Sequence, residues 1–416
     1  MRIFPAVWLA VFFFLAFTGS VLAPPGAALA VLGALGIAYC VAYMREALTA
    51  LVRGHLLLVA SAAALALAIL WSQSWAAWRG MPMSDTVPAQ TALFLCLPVL
   101  GLFLRDVRLF QAAVGLFGAL TLWHFVMLPV EGLTGFKWTW HPVHPLPREI
   151  GPLKFQASGL AIQTYCFIGL YLPLFYLAWG PVAARRVPGW QQPSWLMAAL
   201  PLLWVIPIAA VQSRSGLAGA VAAGGLAFLT WNRRPRWRDW LILAAGIVVV
   251  ALVYWQLFAQ GKTGPGLRMA YVKAYFLEGL DLHWLATGRG FSLLVPPPVA
   301  VEGFMPLTHS HNDVAQVFYS WGPGGLVAYG VFWFALLRLV FTRFVARAEY
   351  WPGLALVALA PSLITDLGIH FYEKAVFLVI VAAMCMACSQ VGRAGRETGQ
   401  PRAGKGRGLP ESSIAT

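Results

Sequence analysis

Charge is what this sequence has least of. Of its 416 residues only 11% are Asp, Glu, Lys or Arg, and only 15 are acidic, while 60% are apolar. A water-soluble domain runs nearer half apolar and about a quarter charged. The composition therefore excludes a single soluble domain, and the mean hydropathy of +0.73 agrees. Scarce carboxylates also narrow the chemistry. Outside the apolar runs only Glu278 and Asp281 are spaced as a pair, three apart, which suits metal or acid-base work and equally suits a solvated helix face. Cysteine is scarce too. All five (Cys40, Cys96, Cys166, Cys385, Cys388) fall inside long apolar runs, which excludes reading a disulfide framework. Cys385 and Cys388 form a CxxC by spacing, but in a lipid-embedded helix packing is the expected role.

What the chain has in abundance is apolar runs of membrane-spanning length. A bilayer core of about 30 Å takes roughly 20 apolar residues per helix. On that ruler twelve spans are expected, near 4–23, 25–44, 54–73, 89–104, 109–128, 157–179, 195–212, 215–231, 240–259, 317–337, 352–371 and 374–391. The first resembles a signal peptide ending at Val21-Leu22-Ala23, but its run exceeds an ordinary h-region, so it reads as a retained span. The expectation is an all-α polytopic membrane protein with one helical domain over 1–391, including a large outer loop at 260–316. A Gly/Arg/Pro-rich tail, 392–416, is expected to be disordered and cytoplasmic, near anionic headgroups.

The 29 Lys and Arg against 15 acidic residues do not point to nucleic acid, because they sit in short clusters between apolar runs rather than in a basic patch. With the N-terminus inside, every even-numbered connection carries basic residues, including Arg233, Arg234, Arg236 and Arg238. That is the positive-inside pattern and places both termini in the cytoplasm. Ten basic residues remain outside, against the rule. Arg79, Lys262 and Lys374 fit ordinary outer-loop charge. The others gather in three places.

Between the spans at 195–212 and 215–231, Gln212-Ser213-Arg214-Ser215-Gly216 leaves almost no loop, so Arg214 is held at the membrane boundary. It either snorkels or binds an anion at the depth of a lipid phosphate, with Ser213, Ser215 and the Gly216 amide opening the next helix as further donors. The outer loop 260–316 holds Arg268, Lys273, Arg289, His309 and His311, and its Tyr271, Tyr275, Phe276, Leu277, Leu280 and Trp284 argue for short amphipathic helices against the membrane. His309 and His311 are two apart, a poor spacing for a shared metal on a helix, and His141 and His144 have no obvious third ligand, so no metal is expected. The third place, 131–156, combines Lys137, Trp138, Trp140, His141, His144, Arg148 and Lys154, a platform for sugars or headgroups unless its tryptophans are plain interfacial anchors. Asp366, within the eleventh span, has no partner in the pattern and gives little support for a proton path.

His311-Asn312, nine residues, Gly322, two residues and Gly325 resembles the His motif of the bacterial O-antigen ligase family, within the wider ligase and Wzy-type polymerase superfamily. The Ser213-Arg214-Ser215-Gly216 turn and Arg268 at the opening of the large loop are similar to that superfamily as well, and their order along the chain agrees. The resemblance covers most of the chain in topology and only these short motifs in sequence. It implies a glycosyltransferase similar in fold to the C-type membrane glycosyltransferases, with the large loop between spans nine and ten in the periplasm. It implies transfer of a finished glycan from undecaprenyl diphosphate to lipid A-core oligosaccharide at the inner membrane. Carried over by residue, His311 is the base, and Arg214, Arg268 and Arg289 contact the donor diphosphate. Ser213, Ser215, His309, Asn312, Trp138, Trp140, Arg148 and Lys154 are the further candidates for substrate contact, and no cofactor is expected. The chemistry suits these residue types. A neutral imidazole takes a proton from a sugar hydroxyl near neutral pH, and arginines neutralise a leaving diphosphate through planar bidentate contacts. One base with one activated leaving group suggests direct inverting displacement without a metal. An O-antigen polymerase or a protein O-glycosylation ligase would use the same donor. A polyprenyl-glycan flippase would instead distribute its charges along the spans.

Overall fold

The structure, a computed structural model, describes residues 3–18, 25–81, 86–106, 108–113, 148–150, 153–155, 265–290, 310, 312–345, 351–365 and 372–397, with a few isolated positions besides. The α-helices traced among the described residues are α1 (Ile3–Thr18), α2 (Pro25–Tyr43), α3 (Arg45–Gly54), α4 (Leu56–Trp78), α5 (Thr86–Phe103), α6 (Pro265–Gly279), α7 (Asp313–Leu339), α8 (Trp351–Thr365) and α9 (Tyr372–Glu397). One short antiparallel ladder, β1 (Arg148–Ile150) with β2 (Leu153–Phe155), is the β structure among the described residues.

Among the described residues three segments, Gly26–Tyr43, Leu56–Trp78 and Asp313–Phe344, are long and apolar enough to cross a membrane, and the apolar stretches Ile3–Ala16, Val87–Phe103 and Lys374–Ser389 are shorter. The described residues are thus mostly helical, with the apolar helices of a membrane protein. Helices fall where seven of the twelve spans are expected; the spans at 157–179, 195–212 and 240–259, and most of 109–128 and 215–231, lie outside the described residues. At the far end α9 continues to Glu397, past the expected limit at 391. A helix the span count did not anticipate, α3, lies between the second and third spans; it has Glu46 in its first turn and Arg53 in its last, which complements its dipole.

On α4 the buried positions Leu58, Ser61, Ala62, Leu65, Ala66, Ile69, Ser72, Gln73 and Ala76 recur every three or four residues, one helix face. They are mostly small, which lets neighbouring backbones approach. The opposite face stays apolar yet exposed, with Leu67 at 64% and Trp78 at 75%. A soluble helix would be polar there. A helix apolar all round, packed on one side only, fits lipid on the other. The packed face meets α5 and α7, α5 in turn packs on α2 and α9, and α6 lies on α7. Trp8 ties α1 to α2 by donating from Nε1 to the Leu32 carbonyl at 2.7 Å.

α4 and α7 run antiparallel. Ser72, late in α4, bonds to Ser320, early in α7, while Leu58 near the start of α4 shares a cavity wall with Ala335 and Leu339 near the end of α7. α7 is kinked, because Gly322 takes φ +67° inside it and Pro323 follows. Proline has no N–H to give the carbonyl four residues back, which here is Tyr319.

Candidate functional site

The kink exposes two carbonyls, and a turn from the preceding segment supplies their donors. After α6 the chain winds through Leu280–Gly290, where Trp284 N–H donates to Asp281 O at 2.9 Å and Gly288 N–H to Trp284 O at 2.7 Å. The turn then crosses α7. Arg289 N–H donates to Tyr319 O at 3.0 Å, replacing the bond lost to Pro323, and Gly290 N–H donates to Ser320 O at 2.9 Å. From α4, the Ser72 hydroxyl donates to Ser320 O at 2.5 Å and accepts from Gly290 N–H at 3.0 Å. Three elements distant in sequence meet at one point. Aromatic contacts extend the joint, with Tyr275 edge-on to Tyr319 at 4.8 Å and Phe276 stacked on Phe318 at 4.8 Å. Burial, with the neighbouring Tyr319 and Tyr271 phenols, pushes the Tyr275 phenol well above its usual range and keeps it neutral.

This joint fixes Arg289. Its Nη2 donates to Glu278 Oε2 at 2.9 Å and Asp281 Oδ2 at 3.2 Å, and its side chain is 10% exposed. The guanidinium lies 5.6 Å from the Trp284 ring and 5.3 Å from the Tyr319 ring, within cation-π range. Its Nε is buried with no hydrogen-bond partner among the described residues. Glu278 and Asp281 are therefore neither an open pair nor a bare solvated face: both grip one arginine. Among the described residues no three His, Cys, Asp or Glu side chains converge. Replacing both carboxylates (Glu278→Gln with Asp281→Asn) is expected to lower thermal stability by about 1–3 kcal/mol, with chelation leaving the wild-type melting midpoint unchanged. A midpoint that falls on chelation and returns with a divalent ion would make the two carboxylates metal ligands instead.

Arg79 also lies against Trp284. Its guanidinium stands 4.7 Å from that ring and 5.0 Å from Trp75, and Nη1 is buried with no partner among the described residues. Two guanidiniums thus share one indole. Ordinary outer-loop charge does not describe Arg79, because it sits in an aromatic clasp rather than in open solvent. The signal in sequence is Trp71, Trp75 and Trp78 immediately before it, and these rings run in sequence along the end of α4 at 6.2 Å and 5.0 Å. Lys374 also departs from that reading. It is 1% exposed at the start of α9 and engaged with other groups, as a buried ammonium must be.

The start of α7 shows what the residues around His311 do. Asn312 is its N-cap, in extended backbone, with Oδ1 accepting from Ala315 N–H at 3.0 Å. Ser310 Oγ donates to Asn312 O at 2.6 Å, and Ser310 N–H donates to Gln316 Oε1 at 2.8 Å. Buried Asp313 accepts from the Tyr329 hydroxyl at 2.5 Å. Position 311 is flanked on both sides by fixed backbone. His311 and His309 themselves lie outside the described residues, as do Ser213, Arg214, Ser215, Trp138 and Trp140. Arg268 lies in α6, on the helix that carries Glu278. Arg148 and Lys154 lie in the two-stranded ladder, paired in register with Phe155 and Glu149.

Beside the joint, a cavity of about 630 Å³ opens between α4 and α7, lined chiefly by Trp71, Ser74, Ala286, Trp321, Gly324 and Gly325. It is mostly apolar, and it adjoins the guanidinium-indole cluster. Chemically, the end of α4 and the start of α7 present fixed cations, flat aromatic faces and an apolar groove side by side, which suits an amphiphile with an anionic head.

Comparison with models of known families and with curated proteins finds no match for the chain.

Proposed function

We propose that the protein is an O-antigen ligase: a membrane glycosyltransferase that moves a glycan from undecaprenyl diphosphate to lipid A-core oligosaccharide in the periplasmic leaflet of the inner membrane. The observation that carries the reading is the motif His311-Asn312-x9-Gly322-x-x-Gly325. Its described members have physical work to do: Asn312 starts α7 beside His311, and Gly322 makes the kink that seats the Gly288-Arg289-Gly290 turn. On this reading the helices belong to a twelve-span domain similar to the C-type membrane glycosyltransferases, with residues 260–316 as a periplasmic loop and both termini cytoplasmic.

His311 takes the proton from the acceptor hydroxyl, and the hydroxyl oxygen displaces the diphosphate at the anomeric carbon with inversion. Arg214 and Arg268 neutralise the leaving diphosphate. Arg289 joins them with the donors its two carboxylates leave open, and the apolar cavity between α4 and α7 takes up prenyl chain. Fixed arginines in a dry site supply the stabilisation without a metal. A polymerase of the same superfamily would share donor, base and arginines, with a donor-linked glycan as acceptor.

The test is a reconstituted assay with purified protein, lipid-diphosphate glycan and lipid A-core, scored for ligated product. Arg214→Lys and Arg268→Lys keep charge but lose the planar fork, so each is expected to retain little activity, and the alanine variants less. If the two cations served topology alone, each lysine variant would ligate like wild type, since either cation snorkels equally well. Donor binding measured apart from turnover separates affinity from a contact made only in the transition state.

A further inference from the structure

The opposite ends of α4 and α7 hold a second cluster of cations that glycan transfer does not use. There α3 ends at Gly54, α4 begins at Leu56, and α7 passes into a π-helical turn, Val340–Phe344. A cavity of about 540 Å³ lies between them, lined by Arg53, His55, Arg338, Thr342 and Arg343 together with Leu56 and its neighbours, and among the described residues no acidic side chain lines it. Arg338 and Arg343 are five apart, which a regular α-helix would set ~140° around its axis. The π-turn underwinds that segment and narrows the angle, so both arginines reach one cavity.

The cluster is built, and among the described residues it has no counter-charge. His55 is anchored through its Nε2 to Ser389 Oγ at 3.0 Å, and Thr342 Oγ donates to the Arg338 carbonyl at 2.7 Å. Arg53, Arg338 and Arg343 make no ion pair with any described residue. Three guanidiniums around one small cavity repel one another unless an anion joins them. Leu56 at 61%, Leu57 at 40%, Leu337 at 39% and Phe341 at 61% exposure surround it with apolar surface. A charged pocket with an apolar rim at the end of a membrane-spanning helix matches a phospholipid, not a soluble anion alone. α4 is 23 residues long, roughly 35 Å, so this cavity and the Arg289 joint lie at opposite membrane faces. The positive-inside pattern puts the cavity on the cytoplasmic side.

We propose that this cavity binds the phosphodiester headgroup of an anionic phospholipid of the inner leaflet, with its acyl chains against Leu57, Leu337 and Phe341. The site stands apart from the transferase reading and does not depend on it. Native mass spectrometry of the purified full chain, titrated with phosphatidylglycerol, phosphatidylcholine and glycerol 1-phosphate, tests it. Phosphatidylglycerol is expected to bind at least tenfold tighter than phosphatidylcholine. Each arginine removed is expected to cost about fivefold, equivalent to ~1 kcal/mol, so Arg338→Gln with Arg343→Gln should weaken phosphatidylglycerol about 25-fold. Arg45→Gln, a nearby arginine that does not line the cavity, should change it little. Equal affinity of the wild type for the two lipids overturns the proposal without recourse to any variant, as does a double variant that binds like wild type or an Arg45 variant that loses as much. Competition by glycerol 1-phosphate at the concentration of the lipid overturns the lipid as the source of the phosphate.

Discussion

His311→Ala is expected to lower ligation by about 10²–10⁴-fold, the usual loss when a general base is removed, while the protein still folds and inserts. The second half of that expectation rests on the helix start. Asn312 caps α7 with its own side chain, and Ser310 is held by Asn312 and Gln316, so the start of the helix has hydrogen bonds made by residues 310, 312, 315 and 316. Asn312→Ala makes the comparison. It removes a cap worth about 1 kcal/mol and should lower the melting midpoint more than His311→Ala does, yet cost far less activity. His309→Ala should likewise cost less. Near-normal ligation by His311→Ala would remove it from the mechanism, and a greater loss at His309 would reassign the role.

The membrane character was legible because it depends on sums: long apolar runs and few charges force helices whose outer faces stay apolar, as Leu67 and Trp78 on α4 do. The helix α3 was not, because its ten residues are too short and too polar for a span ruler, and its amphipathic pattern shows only on a search for interfacial helices. The motif glycine Gly322 stood out in the sequence, but its purpose did not. That purpose lies in a backbone turn more than thirty positions earlier and in a serine on α4, and no local pattern joins Ser72, Gly290 and Ser320. Arg289 illustrates the same limit. Its charge and its place between two glycines were visible, whereas the grip of Glu278 and Asp281 needs the chain to double back after α6. Arg79 was discounted as loop charge because indole contacts leave no charge pattern in a sequence; Trp284 brings it beside Arg289 only through the fold.

Gly288→Ala is expected to be the most disruptive single methyl group in the described structure. Gly288 has φ +71°, a conformation that costs an alanine roughly 1–2 kcal/mol by itself. A methyl group there would also overlap the Ser320 carbonyl and lie 2.6 Å from the Gly322 nitrogen, backbone atoms that cannot rotate away. The turn would have to lift from α7, breaking Arg289 N–H to Tyr319 O and Gly290 N–H to Ser320 O. The Tyr319 carbonyl, which gets no donor from Pro323, would then lose the Arg289 N–H as well. The sum is on the order of 3 kcal/mol or more, read as a fall of more than about 5 °C in the midpoint followed by tryptophan fluorescence. Gly322→Ala, at φ +67° with its methyl group 3.0 Å from Gly288 N and Leu285 O, should fall in the same direction by less. Gly324 supplies the control. It lies two residues further along the same helix, where an added methyl group meets nothing within 4 Å, so Gly324→Ala should leave the midpoint unchanged or raise it slightly. Because the turn carries Arg289 and adjoins Trp284, Gly288→Ala should also lose ligation in protein that remains folded at the assay temperature. A Gly288→Ala protein that melts like Gly324→Ala and ligates like wild type would show that the turn does not rest in the kink of α7, and would remove the structural role assigned to Gly322 in the His311 motif.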